Sequence, residues 1–85
     1  MKGFKDLTLD DHPMGGTSAR EQFDNGYGVS VVSTPFSYGG VDGLYELAVL
    51  YNNEITYYTE ITSDVLGYLS EDEVTDIMED IQLLD

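Results

Sequence analysis

The residues best suited to chemistry in this chain are its carboxylates, and their densest run lies between Glu71 and Asp85. This run holds seven carboxylates in 15 residues. A helix of that length extends about 22 Å and so carries about one charge per 3 Å. Phosphates along one nucleic-acid strand are spaced at ~3.4 Å. The run therefore indicates a surface that a phosphate-binding groove can accept in place of nucleic acid.

The alternative interpretation is an acidic, solvated helix face that serves only solubility. Such a face normally mixes charges and gains ion pairs between residues four apart, whereas no lysine or arginine follows Arg20 in this chain. We therefore predict that the face binds a partner. The acidic residues predicted to make contact are Glu71, Asp72, Asp76, Glu79 and Asp80.

A second set of candidate contact residues lies in the loop of residues 35–43. Its glycine-rich part, residues 38–43, lacks the lysine and the spacing of a phosphate-binding loop. The simplest interpretation is a connection between strands, with glycines where the backbone needs positive φ. Phe36 and Tyr38 are large aromatic residues in this loop. Such residues are typical interface anchors, so we predict that both bind the partner.

The chain offers no combination of residues typical of an enzyme or a metal site. His12 is the only histidine, and there is no cysteine, so the usual set of transition-metal ligands cannot be completed. The run Asp24-Asn25-Gly26 matches only the end of a calcium-binding loop. We expect no catalytic residue, no metal site and no cofactor, and we interpret His12 as a loop residue.

Net charge restricts the class of partner. The formal charge is −14, and the three cations, Lys2, Lys5 and Arg20, are balanced by three acids within residues 1–20. The other 14 acids follow without any cation. Such a surface repels nucleic acid and anionic membranes and attracts basic protein surfaces. The sequence shows no apolar leader and no long apolar run. We therefore expect a protein that is neither secreted nor inserted into a membrane.

The middle of the chain predicts an antiparallel sheet. Thr17–Phe23 and Tyr27–Thr34 should pair across Asn25-Gly26, because both turn residues tolerate positive φ. Leu44–Tyr51 is apolar on both faces, which predicts a central strand covered on both sides, or on one side by a partner chain. After the turn at residues 52–54, Ile55–Thr59 should return as the last strand of a meander.

The two ends of the chain are predicted to cover this sheet. The alternation at residues 7–9 suggests a short edge strand, within an arm of residues 1–16 that is free to be flexible. Near the other end, residues 65, 66, 68 and 69 are expected to pack under a final helix. That helix begins with a capping box at Ser70 and Glu73. Its apolar stripe comprises Val74, Ile77, Met78, Ile81 and Leu84.

These elements predict one domain, residues 1–85. The predicted fold is α+β: a three- to four-stranded antiparallel meander with an amphipathic acidic helix on one face at the C-terminal end of the chain.

Several segments also resemble a known group of proteins. Phe23 to Val32, Ser37 to Gly40, Gly43 to Leu50 and Asp64 to Leu69 resemble small acidic phage and prophage proteins of unknown function. The resemblance implies a phage accessory protein made in the cytoplasm of a bacterial host. Small phage proteins of this kind include inhibitors of host nucleic-acid-binding defence proteins.

The leading hypothesis is therefore a non-enzymatic inhibitor of the anti-CRISPR or anti-restriction type. It would occupy a basic, nucleic-acid-binding surface of a host protein and bind neither nucleic acid nor membrane itself. The alternative is a self-assembling structural or scaffold protein, such as a homodimer, that uses residues 44–51 as its interface.

Overall fold

A computed structural model describes all residues, 1–85, as a six-stranded antiparallel sheet with one α-helix packed against it. The strands are β1 (Asp10–Asp11), β2 (Thr17–Gln22), β3 (Tyr27–Ser33), β4 (Tyr45–Tyr51), β5 (Glu54–Ile55) and β6 (Leu66–Leu69). The helix α1 spans Glu71–Gln82, and short 3-10 helices span Phe4–Asp6 and Gly40–Asp42. The predicted α+β class and the packed helix are confirmed. The predicted count of three to four strands is wrong.

The hairpin between β2 and β3 confirms the predicted pairing, but its turn differs from the expected one. Gly26 N–H donates to the Phe23 carbonyl (3.2 Å), and Phe23 N–H donates to the Tyr27 carbonyl (2.8 Å). Only Gly26 has positive φ here, at +87°. The turn is thus a type I turn followed by a glycine bulge.

The turn between β4 and β5 has positive φ at both of its central residues. Asn52 and Asn53 have φ values of +50° and +68°, and asparagine is among the few residues that tolerate this region. A two-residue turn of this kind matches the twist of the strands it joins. The predicted turn at residues 52–54 is therefore confirmed.

Strand β4 lies inside the sheet, as predicted. β3 pairs with one of its edges, while β5 and β6 pair with opposite ends of the other edge. Leu47 and Val49 are buried beneath α1, and Ala48 and Leu50 are buried on the other face. The apolar side chains of residues 47–50 are therefore covered within a single copy of the chain.

Three local predictions are wrong. The predicted edge strand at residues 7–9 is absent, and the edge is formed instead by Asp10–Asp11. The strand predicted for Ile55–Thr59 ends at Ile55. Tyr68, expected under the helix, is 60% exposed. The position of Tyr68 depends on the pairing of β6 with the distant strand β4, which the local pattern does not encode.

β6 contains a bulge that accounts for the position of Tyr68. Tyr45 is opposite Leu69 and Leu47 is opposite Leu66, so β6 has one more residue than β4 over the same length. The extra residue bends the strand, and Tyr68 has φ +56°. Its neighbour Leu69 is buried in the core, as predicted.

The helix is capped at both ends by specific side chains. Glu73 N–H donates to Ser70 Oγ (3.2 Å), and Ser70 N–H donates to Glu73 Oε1 (3.0 Å), which confirms the capping box. At the other end, Asn25 Nδ2 donates to the carbonyls of Ile81 (2.9 Å) and Leu84 (3.1 Å). Carbonyls at the end of a helix have no partner in a following turn, and these bonds attach the first hairpin to this end of α1.

Residues 1–7, called here the N-terminal segment, lie along one side of α1. Phe4 N–H donates to Thr75 Oγ1 (3.0 Å). Lys2 N–H donates to Gln82 Oε1 (3.0 Å), and Gln82 Nε2 donates to the Lys2 carbonyl (2.8 Å). The Phe4 ring packs edge-on against Tyr45, with ring centroids 4.9 Å apart. The segment thus contacts both helix and sheet, while the flexibility expected of residues 1–16 stays a prediction.

Replacing Ser70 by alanine is expected to lower the free energy of unfolding by about 1 kcal/mol, because the first turn of α1 loses its hydroxyl acceptor. Urea denaturation followed by circular dichroism measures the change. Ser63→Ala is the control, since Ser63 is an exposed serine between β5 and β6. It should change stability by less than about 0.5 kcal/mol. Equal effects of the two substitutions would contradict the role of the cap.

Candidate partner-binding surfaces

The five predicted acidic contact residues share the outer side of α1. Val74, Met78 and Ile81 are fully buried against the sheet. The helical repeat of 3.6 residues turns the positions between them away from it. All five predicted acids are exposed: Glu71, Asp72, Asp76, Glu79 and Asp80. The structure therefore brings this half of the predicted site together on one face, called here the acidic face.

The acids on this face form two neighbouring rows. Asp72, Asp76 and Asp80 follow each other at four-residue steps, each a rise of about 6 Å along the helix. Glu71 and Glu79 lie on the side where Thr75 contacts the N-terminal segment. Like charges at this spacing repel each other and cost an isolated helix about 0.2–0.5 kcal/mol per pair. The arrangement therefore disfavours the free helix and favours binding of cations.

No cation within the chain neutralises the acidic face. The one ion pair joins Lys2 to Glu21 of β2 and involves no acid of α1. The hydrogen bond and charge of Glu21 raise the pKa of Lys2 above its ordinary value. Lys5 borders the same shallow depression as Glu71, Asp72 and Glu79, yet it forms no ion pair with them. The acids of the face therefore have no ion-pair partner within the chain.

Glu73 differs from the other acids of α1 because its carboxylate is engaged in the cap. The backbone N–H of Ser70 donates to it, and this bond lowers the pKa of Glu73. The capping box therefore explains the presence of Glu73. Glu73 was not among the predicted contact residues.

The two predicted aromatic anchors are exposed, but they lie elsewhere. Phe36 is 75% exposed and Tyr38 is 60% exposed. Tyr38 N–H donates to Glu46 Oε1 (3.0 Å). Leu47 faces α1, and successive strand residues point to opposite faces, so Glu46 lies on the face away from the helix. The predicted site therefore separates into two surfaces.

Tyr68 is a surface residue that the sequence prediction missed. Its N–H donates to the Tyr38 carbonyl (3.1 Å), which sets it beside the loop of residues 35–43. The one local indication was Gly67, since a glycine inside a strand often marks a bulge or a close backbone approach. Here any side chain on Gly67 would overlap Tyr38 Cβ.

His12 takes part in the turn between β1 and β2. The Nδ1 atom of its ring accepts a hydrogen bond from Met14 N–H (3.0 Å). Its backbone N–H donates to the Gly16 carbonyl (3.0 Å). No group of three or more histidine, aspartate and glutamate side chains is arranged to hold a metal ion. The single helix is too short and too polar to span a membrane.

Comparison with protein-family models, with curated proteins and with solved structures found no match to this chain.

Proposed function

We propose that this protein binds a basic surface of another protein through the acidic face of α1 and thereby competes with nucleic acid for that surface. The proposed partner is a nucleic-acid-binding protein of a bacterial host, such as a defence effector. The chain would act in the host cytoplasm as a phage or prophage accessory protein. It would have no catalytic role.

The observation that carries this proposal is the set of five exposed carboxylates without an internal cation. They lie between Glu71 and Asp80, a distance of about 14 Å along the helix. The mean spacing is about one charge per 3 Å, similar to a nucleic-acid strand. Basic grooves that bind phosphates gain affinity by releasing counterions. A rigid row of carboxylates at this spacing offers the same gain.

The position of the acids on a helix supports competition rather than general attraction. α1 is held at both ends, by Ser70 and by Asn25, so the carboxylates need little ordering when a partner binds. Low ordering cost favours affinity. Charge of one sign also raises the association rate with an oppositely charged surface.

Neutralising the acidic face tests the proposal. The variant carries Glu71→Gln, Asp72→Asn, Asp76→Asn, Glu79→Gln and Asp80→Asn, which preserve side-chain shape. A partner is first recovered from host lysate with the parent protein, and its binding is then measured in competition with its own DNA or RNA. We expect the affinity of the variant to fall by at least about fivefold, since five exposed ion pairs at ~0.2–1 kcal/mol each contribute about 1–5 kcal/mol together. The salt dependence should become shallower.

A matched control separates position from total charge. Asp10→Asn, Asp24→Asn, Asp42→Asn, Glu54→Gln and Glu60→Gln also change the net charge from −14 to −9, at exposed sites outside α1. This control should bind and compete nearly as well as the parent. If both variants lose affinity equally, the partner responds to overall charge and the acidic face is not its binding site.

Self-assembly through residues 44–51 stays an alternative hypothesis, but no observation favours it. The apolar side chains of Leu47 to Leu50 are buried in one copy of the chain. An interface at this strand would require them to leave the core.

A further inference from the structure

Two exposed tyrosines lie side by side where the loop of residues 35–43 meets β6. Tyr68 N–H donates to the Tyr38 carbonyl (3.1 Å), and Tyr38 Cβ packs against the backbone of Gly67. Gly39 in turn has no room for a side chain next to Tyr68 Cα. We call the exposed side chains of Tyr38 and Tyr68 the aromatic patch.

The loop that carries this patch is held by a network of hydrogen bonds. Thr34 N–H donates to Ser37 Oγ (2.8 Å), and Ser37 N–H donates to Thr34 Oγ1 (3.1 Å). Tyr38 N–H is held by the Glu46 carboxylate. Large aromatic side chains on a fixed backbone lose little freedom on binding, which is a property of interface anchors.

Tyr68 adopts a backbone conformation that tyrosine normally avoids. Its φ of +56° lies in the left-handed region, where the Cβ of an ordinary residue comes too close to the backbone. Bulges of this kind often redirect a side chain, and here the ring is turned towards solvent instead of the core. Strained backbone of this type is concentrated at functional sites.

The charges around the patch identify the chemistry of its occupant. The tyrosine rings attract cations through their faces, and arginine is the cation found there most often. Glu46 uses one carboxylate oxygen for Tyr38 N–H, which leaves the other for a guanidinium group. The segment from Glu21 to Asp85 holds no lysine or arginine that could fill this place.

We propose that the aromatic patch binds an arginine side chain of a basic protein segment, with the guanidinium stacked on a tyrosine ring and hydrogen-bonded to Glu46. Neither the two tyrosines nor Glu46 belongs to the acidic face, so this binding does not depend on the proposed function of α1.

Oligo-arginine and oligo-lysine peptides of equal length test this proposal. The charge of the protein attracts both peptides, so the ratio of their affinities isolates the contribution of the guanidinium group. We expect the arginine peptide to bind about 2- to 5-fold more tightly, as for a cation–π contact of ~0.5–1 kcal/mol. In NMR titrations the ring signals of Tyr38 and Tyr68 should shift. Those of Tyr58, which is 97% exposed, should shift much less.

Substitutions then distinguish the contribution of the aromatic patch to peptide binding from that of the acidic face. Tyr38→Ala and Tyr68→Asn should bring the affinity ratio close to one. Asparagine tolerates the left-handed conformation better than tyrosine, so Tyr68→Asn should not lower the melting temperature. Neutralising the five acids of α1 should weaken both peptides and leave their ratio unchanged. Failure of the proposal for α1 is thus distinguishable from failure of this one.

Three results would overturn the inference. The first is an arginine preference that persists in Tyr38→Ala. The second is the absence of shifts at Tyr38 and Tyr68 in the parent protein, a measurement that needs no variant. The third is concentration-dependent self-association that Tyr38→Ala abolishes, which would assign the patch to a second copy of the chain.

Discussion

Met78→Ala is expected to lower the free energy of unfolding by about 2–5 kcal/mol, because it removes a fully buried side chain and leaves a cavity. Met78 is wholly inaccessible to solvent between α1 and the sheet. Its neighbour Ile77 is only partly buried, so Ile77→Ala should cost less. Equilibrium denaturation with urea or guanidinium measures both changes.

Leu83→Ala is the matched control for Met78→Ala. Leu83 directly follows the last residue of α1. It is exposed, and such surface substitutions usually change stability by less than about 0.5 kcal/mol. A small effect of Met78→Ala, similar to that of Leu83→Ala, would mean that α1 is not packed on the sheet. The acidic face would then lack the fixed geometry on which its proposed function rests.

Gly40→Ala is expected to destabilise the protein by about 3 kcal/mol or more, beyond the usual cost of adding a methyl group to a packed site. A Cβ on Gly40 would overlap the carbonyl oxygen of Thr34 and crowd Ser37 Oγ. The backbone of the loop would have to move. We expect the ring signals of Tyr38 to change together with the loss of stability.

Gly43→Ala provides the comparison within the same loop. Gly43 has φ +76°, and no atom lies within 4 Å of a Cβ added there. Alanine would therefore meet only the conformational cost of the left-handed region, about 1–2 kcal/mol. If Gly40→Ala lowered stability no more than Gly43→Ala, the loop would not be packed on Thr34. The aromatic patch would then not have a fixed position.

Features encoded by neighbouring residues were predictable from the sequence. The hairpin at Asn25-Gly26, the capping box at Ser70 and the buried stripe of α1 each depend on residues a few positions apart. The burial of residues 47–50 on both faces of β4 followed from the apolar composition of Leu44–Tyr51.

Features that depend on distant pairing were not predictable in the same way. β6 joins the sheet through a bulge opposite β4, and no alternation within Leu66–Leu69 reveals it. The same applies to the candidate site. Charge density identified the acids of α1 as candidate contact residues. Their position relative to Phe36 and Tyr38 depends on the topology of the sheet. The exposure of Tyr68 beside Tyr38 depends on the bulge in β6.

The attachment of the N-terminal segment to α1 has a consequence for the order of folding. Lys2 and Gln82 are hydrogen-bonded although they are 80 positions apart, and Phe4 is bonded to Thr75. Closing so long a loop is entropically costly until the intervening sheet has formed. The segment should therefore dock after the sheet and α1 have assembled, and it should detach in openings that leave the rest of the core intact. Release of this segment would uncover the Thr75 side of the helix without unfolding the protein.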